Sequence, residues 1–147
     1  MKGFHDALPM MLYRALKIVL PPFRAIFAEA KLTEPQWRIM RILWEDGCVS
    51  FGRLAELSLV PRPSLVGVID RLESRKLIKR IRSTEDRRRI KILLTQEGAK
   101  LRIQVLPKVE RAHKDLLGSI EPDDWNNLYT GLTALLNRET NNQKTHE

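Results

Sequence analysis

Ten basic side chains crowd into residues 70–91: Arg71, Arg75, Lys76, Lys79, Arg80, Arg82, Arg87, Arg88, Arg89 and Lys91. Only Asp70, Glu73, Glu85 and Asp86 oppose them, so the stretch carries +6 of the +8 on all 147 residues. A solvated basic face interleaves both signs, as the rest of this chain does. The excess here is confined to one helix and one loop, which points to a polyanionic partner. Double-stranded nucleic acid fits that shape best, with a helix in one groove and a basic hairpin against backbone or in the next. An acidic protein surface is the rival reading. An anionic membrane fits poorly, because the segment lacks large apolar residues for insertion.

Other chemistries find little support. His5, His113 and His146 lie far apart, and no His, Cys and carboxylate set has metal-ligand spacing. There is no glycine-rich phosphate loop and no nucleophile elbow, so neither an enzyme nor a cofactor is expected. The single cysteine, Cys48, excludes an internal disulfide and fits a reducing cytoplasm. Glu45 and Asp46 precede it, which disfavours a reactive thiolate. The most apolar stretch, residues 10–20, is interrupted by Arg14 and Lys17, so no membrane span is expected, and the N-terminus lacks the pattern of a secretory signal.

The elements that position the basic segment follow from periodicity. Pro63 suits a first helical turn, and Leu65, Val68, Ile69 and Leu72 then share one side of a helix to Ser74. The other side carries Pro63, Val66, Gly67, Asp70, Arg71 and Ser74. A mid-helix glycine costs about 1 kcal/mol. At the centre of an outward face it suggests close approach by something large, the alternative being relief of crowding. Residues 77–82 and 90–95 flank the arginine-rich tip as a two-stranded hairpin. Upstream, Ser50 caps a short helix through Leu57, with Leu54 and Leu57 buried. Helix, turn, helix and hairpin make a winged helix-turn-helix.

Around this lobe lie longer helices. From Asp6 to about Ala30, Leu8, Leu12, Ala15, Val19, Phe23, Ile26 and Ala30 form a stripe that Pro21 and Pro22 should kink. Thr33 to Gln36 has the form of a capping box opening a helix to about Glu45. That helix is apolar on two sides, with Trp37, Met40 and Trp44 opposite Ile39, Ile42 and Leu43. Asp46-Gly47 ends it, and Cys48-Val49 suits a brief strand. Thr95 caps a helix over about 96–117, bent at Pro107. A last helix from Pro122 carries Trp125, Leu128, Leu132, Leu135 and Leu136. These outer helices exceed what one small lobe can bury, which favours a two-fold dimer. The reading is therefore a mainly α single domain, 1–147. Residues 33–95 form the winged helix-turn-helix lobe, 6–32 and 96–138 a helical dimerisation layer, and 139–147 a flexible tail.

Leu72-Glu73 through Leu77-Ile78, then Asp86-Arg87-Arg88, then Leu94-Thr95 and Gly98, form a specific pattern. In it, residues 8–138 resemble the multiple-antibiotic-resistance regulator (MarR) family of bacterial winged-helix transcription factors. Leu32-Thr33 through Gln36-Trp37-Arg38-Ile39, with Arg62-Pro63-Ser64-Leu65, are most similar to regulators of homoprotocatechuate (4-hydroxyphenylacetate) degradation operons. The resemblance implies a cytoplasmic homodimer, at the nucleoid when bound to DNA, with the Pro63–Ser74 helix in the major groove and the wing tip in the minor groove. It makes Asp86 the carboxylate that orients Arg88; a solvated charge run at Arg87–Arg89 is the plainer alternative. Many relatives have a basic residue where Gly67 stands, so base reading would fall to Arg62, Ser64 and Val66.

The expected function is a sequence-specific regulator of double-stranded DNA. It would be a homodimeric repressor on a pseudo-palindromic operator, released by a small aromatic acid or phenol. The alternative is a basic protein-interaction or non-specific DNA-binding module without ligand control. Candidate DNA-binding residues are Ser50, Arg62, Pro63, Ser64, Val66, Gly67, Arg71, Arg82, Asp86, Arg87, Arg88 and Arg89. Trp37, Met40 and Trp44, with Tyr13, Phe23 and Arg41, are the candidate effector pocket, unless that stripe is simply core.

Overall fold

The computed structural model describes residues 3–86 and 89–143, with side chains to Arg138. It is mainly helical: α1 (Leu8–Glu29), α2 (Glu34–Asp46), α3 (Phe51–Ser58), α4 (Arg62–Ser74), α5 (Gln96–Leu117) and α6 (Pro122–Gln143). Strands β1 (Cys48–Ser50), β2 (Ile78–Arg82) and β3 (Ile90–Leu94) form an antiparallel sheet in the order β1-β3-β2. The winged lobe read from the sequence is present, and its hairpin gains β1 as a third strand, with Val49 opposite Ile92 and Ser50 opposite Lys91. Contacts divide the chain into two compact units, Met1–Val109 and Glu110–Glu147, the division falling within α5.

In the first unit, α2 is built as its sequence dictates. The Gln36 amide donates to Thr33 Oγ1 at 3.4 Å and the Thr33 amide to Gln36 Oε1 at 2.9 Å, the reciprocal capping box. Ile39, Met40 and Leu43 are completely buried, which accounts for a helix apolar on two sides. Gly47 stops it at φ +71°, a conformation that favours glycine, and its carbonyl accepts the Leu94 amide at 2.8 Å. Helix α2 is thereby stitched to β3.

Helix α4 buries Leu65, Val68, Ile69 and Leu72, the stripe expected from spacing. Each such side chain contributes about 1.5–3 kcal/mol on burial. The Arg75 guanidinium donates to the Lys31 carbonyl at 2.5 Å and the Ala30 carbonyl at 3.2 Å, holding the end of α4 to the end of α1. A cation there also suits the α1 dipole.

Three expectations about burial or length differ. Leu57 is 41% exposed, because Leu54, Ala55 and Ser58 face the core and Leu57 falls about 100° from the centre of their arc. On α1 the buried residue is Phe27, which the expected stripe passes by, while Leu8 is 56% exposed. Only the C-terminal half of α1 lies on this unit's core. Helix α6 runs to Gln143, past position 138. Both α1, through Pro21 and Pro22, and α5, through Pro107, are unbroken helices.

The second unit pairs the end of α5 with α6. His113 and Trp125 meet edge to face, centroids 6.5 Å apart. On α6, Leu128, Tyr129, Leu135 and Leu136 are exposed by 42–65%.

Candidate nucleic-acid interface

The short turn between α3 and α4 fixes where the outward face of α4 points. Leu59 ends α3 in the left-handed region at φ 55°, and Ser58 Oγ accepts the Val60 amide at 3.3 Å. The Ser64 and Leu65 amides then close on the Pro61 carbonyl at 2.9 Å to start α4. With Leu65, Val68, Ile69 and Leu72 inward, Arg62, Pro63, Ser64, Val66 and Arg71 are exposed together on the other side. Gly67 lies among them, and a methyl group added to it would meet nothing within 4 Å. Crowding inside this chain therefore does not explain the glycine.

Gly67→Ala should raise the stability of the fold by about 0.5–1 kcal/mol, since alanine is the better helix former and the space is open. If a duplex backbone or base edge closes on this face, the same variant loses DNA affinity. A thermal melt and a binding titration on one preparation check both signs. Unchanged binding would restrict the glycine to a local role in α4.

Across from α4 stands the wing. Its tip is closed by the Ser83 amide donating to the Arg89 carbonyl at 2.9 Å and by the Arg89 amide to the Asp86 carbonyl at 2.9 Å. Asp86 also lies 3.6 Å from Arg89 Nε, both side chains largely exposed. Arg87 and Arg88 fall outside the described residues, and with them the expected Asp86–Arg88 contact. Arg82 is exposed at the end of β2.

Between α4 and the wing runs a cleft of about 540 Å³ lined by Ser50, Phe51, Gly52, Arg62, Val66, Arg80, Arg89 and Ile90. Ser50 lines it as the α3 cap, accepting the Arg53 amide at 3.3 Å. A methyl on Gly52 would lie 3.4 Å from the Arg62 guanidinium, an ordinary contact. Phe51, Gly52, Arg80 and Ile90 are absent from the sequence-based set.

Arg80 is the anchor of the cleft. Its guanidinium bonds Asp70 and Glu73 of α4, and its amide donates to Glu73 Oε1 at 2.8 Å. Burial pulls its pKa down, but hydrogen bonds to Asp70 and Glu73 and their charges outweigh that, and the net direction is upward.

The candidate effector residues are only partly brought together. Trp37 stacks on Phe27 at 4.6 Å between centroids and meets Trp44 edge to face at 5.5 Å. Trp44 Nε1 donates to the Gly98 carbonyl at 2.8 Å, Met40 is fully buried, and Phe23 packs against the same core. Tyr13 is 68% exposed, and Arg41 is paired with Glu45 at 2.5 Å. A notch of about 100 Å³ between α1 and α5, closed by the Lys108–Glu29 pair, is small for an aromatic acid. Among the described residues there is no group of His, Cys, Asp and Glu fit to hold a metal, and no helix is long and apolar enough to cross a membrane.

Comparison with known proteins gives a match over residues 32–90 to the model of the MarR family. The HTH-type transcriptional regulator FarR of Neisseria gonorrhoeae is 36% identical over 109 residues, covering 74% of this chain and 75% of FarR. The homoprotocatechuate degradative operon repressor of Escherichia coli is 37% identical over 112 residues, 76% of each chain. Among solved structures, NadR in complex with 4-hydroxyphenylacetate superposes with a TM-score of 0.75 at 31% identity, covering 92% of this chain and 96% of NadR.

Proposed function

This chain belongs to the MarR family of DNA-binding transcriptional regulators, and from that footing we propose that it is a homodimeric repressor released from a pseudo-palindromic operator by a small aromatic acid or phenol. The observation that carries the reading is the cleft between α4 and the wing. A single sugar–phosphate strand separates a major groove from the adjacent minor groove. Two elements that enter both must leave a channel for it. Apolar Phe51 and Ile90 in the lining of the cleft suit the deoxyribose of that strand.

In this reading residues 33–95 form the DNA-binding lobe. Arg62, Ser64 and Val66 approach base edges, Arg71, Arg82 and Arg87 hold phosphates, and Arg88, oriented by Asp86, enters the minor groove. Residues 6–32 and 96–138 pair two copies. Exposed Leu8, Met11, Leu16 and Ile18 on α1 and Leu128 and Leu136 on α6 supply apolar surface for this. The two recognition helices would then stand about 34 Å apart, one turn of duplex.

Trp37, Met40, Trp44 and Phe23 are packed as core in this structure, so an effector lying against them would have to part them to enter, with Tyr13 exposed on α1. The effector's carboxylate would replace that of Glu45 at Arg41. The homoprotocatechuate operon repressor and the NadR complex with 4-hydroxyphenylacetate support this class of ligand.

The test uses a duplex selected by the wild-type protein from a random-sequence pool. Arg88→Ala should lose affinity for it while remaining a folded dimer, and unchanged binding discards the wing assignment. Saturating 4-hydroxyphenylacetate should weaken wild-type binding by roughly 5–150-fold, the range of a 1–3 kcal/mol coupling. No change across a panel of aromatic acids would leave a regulator without this control.

A further inference from the structure

Asp70 poses a problem for a helix that faces DNA. Its side chain is 58% exposed on the outward side of α4, where a carboxylate repels a polyanion. Glu73 follows one turn later and is 35% exposed. Both turn to the same partner, Arg80 on β2, whose side chain is 28% exposed.

The bonding is specific to arginine. One terminal nitrogen of the guanidinium bonds Asp70 Oδ1 and the other bonds Glu73 Oε2. Glu73 Oε1 accepts the Arg80 amide at 2.8 Å. Strand β2 is at the edge of the sheet, and the Arg80 amide bonds Glu73 on its open side, so Glu73 stands where another strand's carbonyl would be. Three bonds thus join two consecutive turns of α4 to a single residue of the wing. An ammonium group lacks the planar fork to reach both acids at once.

We propose that Arg80 is a positioning residue for DNA recognition, fixing through Asp70 and Glu73 the angle at which the wing leaves the recognition helix. The inference rests on the DNA-binding reading and deepens it. The cleft that Arg80 lines is the gap between the two groove-entering elements, so the latch sets its width. The two acids favour binding by holding that geometry ready, which outweighs their repulsion of phosphates.

The experiment measures affinity for the selected duplex between 50 and 200 mM salt. Removing a carboxylate from a DNA-facing surface ordinarily tightens binding. Asp70→Asn and Glu73→Gln are expected instead to weaken it, each by about tenfold, the equivalent of one charge-assisted hydrogen bond. Arg80→Met should weaken it at least as much with the salt slope of the wild type, and Arg80→Lys should recover part of the loss. A residue that contacts phosphate would instead lower the slope by about 2, since the two-fold complex loses one contact in each subunit. Carboxamide variants that bind as tightly as wild type, or a slope that falls in Arg80→Met, overturn the proposal. Thermal melts verify folding, and if Arg80→Met does not fold, exposed Asp70→Asn decides alone. A wild-type protein that selects no duplex overturns the DNA reading, and the latch with it, before any variant is made.

Discussion

Gly98→Ala is expected to cost about 3 kcal/mol, at the upper end of what overpacking does. A methyl on Gly98 would sit 2.2 Å from the Leu77 carbonyl oxygen and 2.6 Å from Leu94 Cδ1. Neither side can step back easily. The Leu77 carbonyl accepts the Thr95 amide at 3.1 Å, the Gly98 amide donates to Thr95 Oγ1 at 3.1 Å, and the Gly98 carbonyl accepts Trp44 Nε1 at 2.8 Å. The gain of about 1 kcal/mol that alanine usually brings to a helix is overwhelmed here. For a chain of this size the melting midpoint should fall by roughly 6–12 °C. A midpoint at or above the wild-type value would mean that α5 and the sheet are not in such close contact.

The second large effect is on binding. With Arg71, Arg82 and Arg87 of each subunit on phosphates, a two-fold complex neutralises about six, and log affinity should fall with log salt at a slope near −5. Between 50 and 200 mM salt that is a loss of about a thousandfold. Fluorescence anisotropy on the selected duplex measures it directly. A single subunit making the same contacts would lose only about fortyfold, so the slope also reports how many copies bind.

Much of the architecture was legible because it is local. The capping box at Thr33–Gln36, the α4 stripe and the 96–117 helix each depend on residues within a few positions of one another. Leu57 and Phe27 show the limit of that reasoning. Leu57 was expected inward and its neighbour Ser58 is there instead, while Phe27 adjoins the expected Ile26; which residue turns inward depends on the surface that the helix meets. The site divided in the same way. The outward face of α4 follows from knowing its inward face. The Arg80 latch depends on how a strand lies against a helix seven and ten residues back. Its available signal was Asp70 and Glu73 at a spacing of three, two acids on one side of a helix in the most basic part of the chain. Trp44 was visible as an aromatic wall, but its indole bond to Gly98, 54 residues on, was not.

The strand order β1-β3-β2 leaves β2 as an open border, with main-chain groups that a foreign strand could adopt as a template. Lys79, Arg80 and Arg82 sit on that border, and Glu73 already occupies one of its amides. Two such borders brought together would set like charges side by side. Lys79 and Arg82 therefore also protect newly made chains from clumping through their sheets, and neutralising them would shorten the protein's life in solution even where no DNA is present.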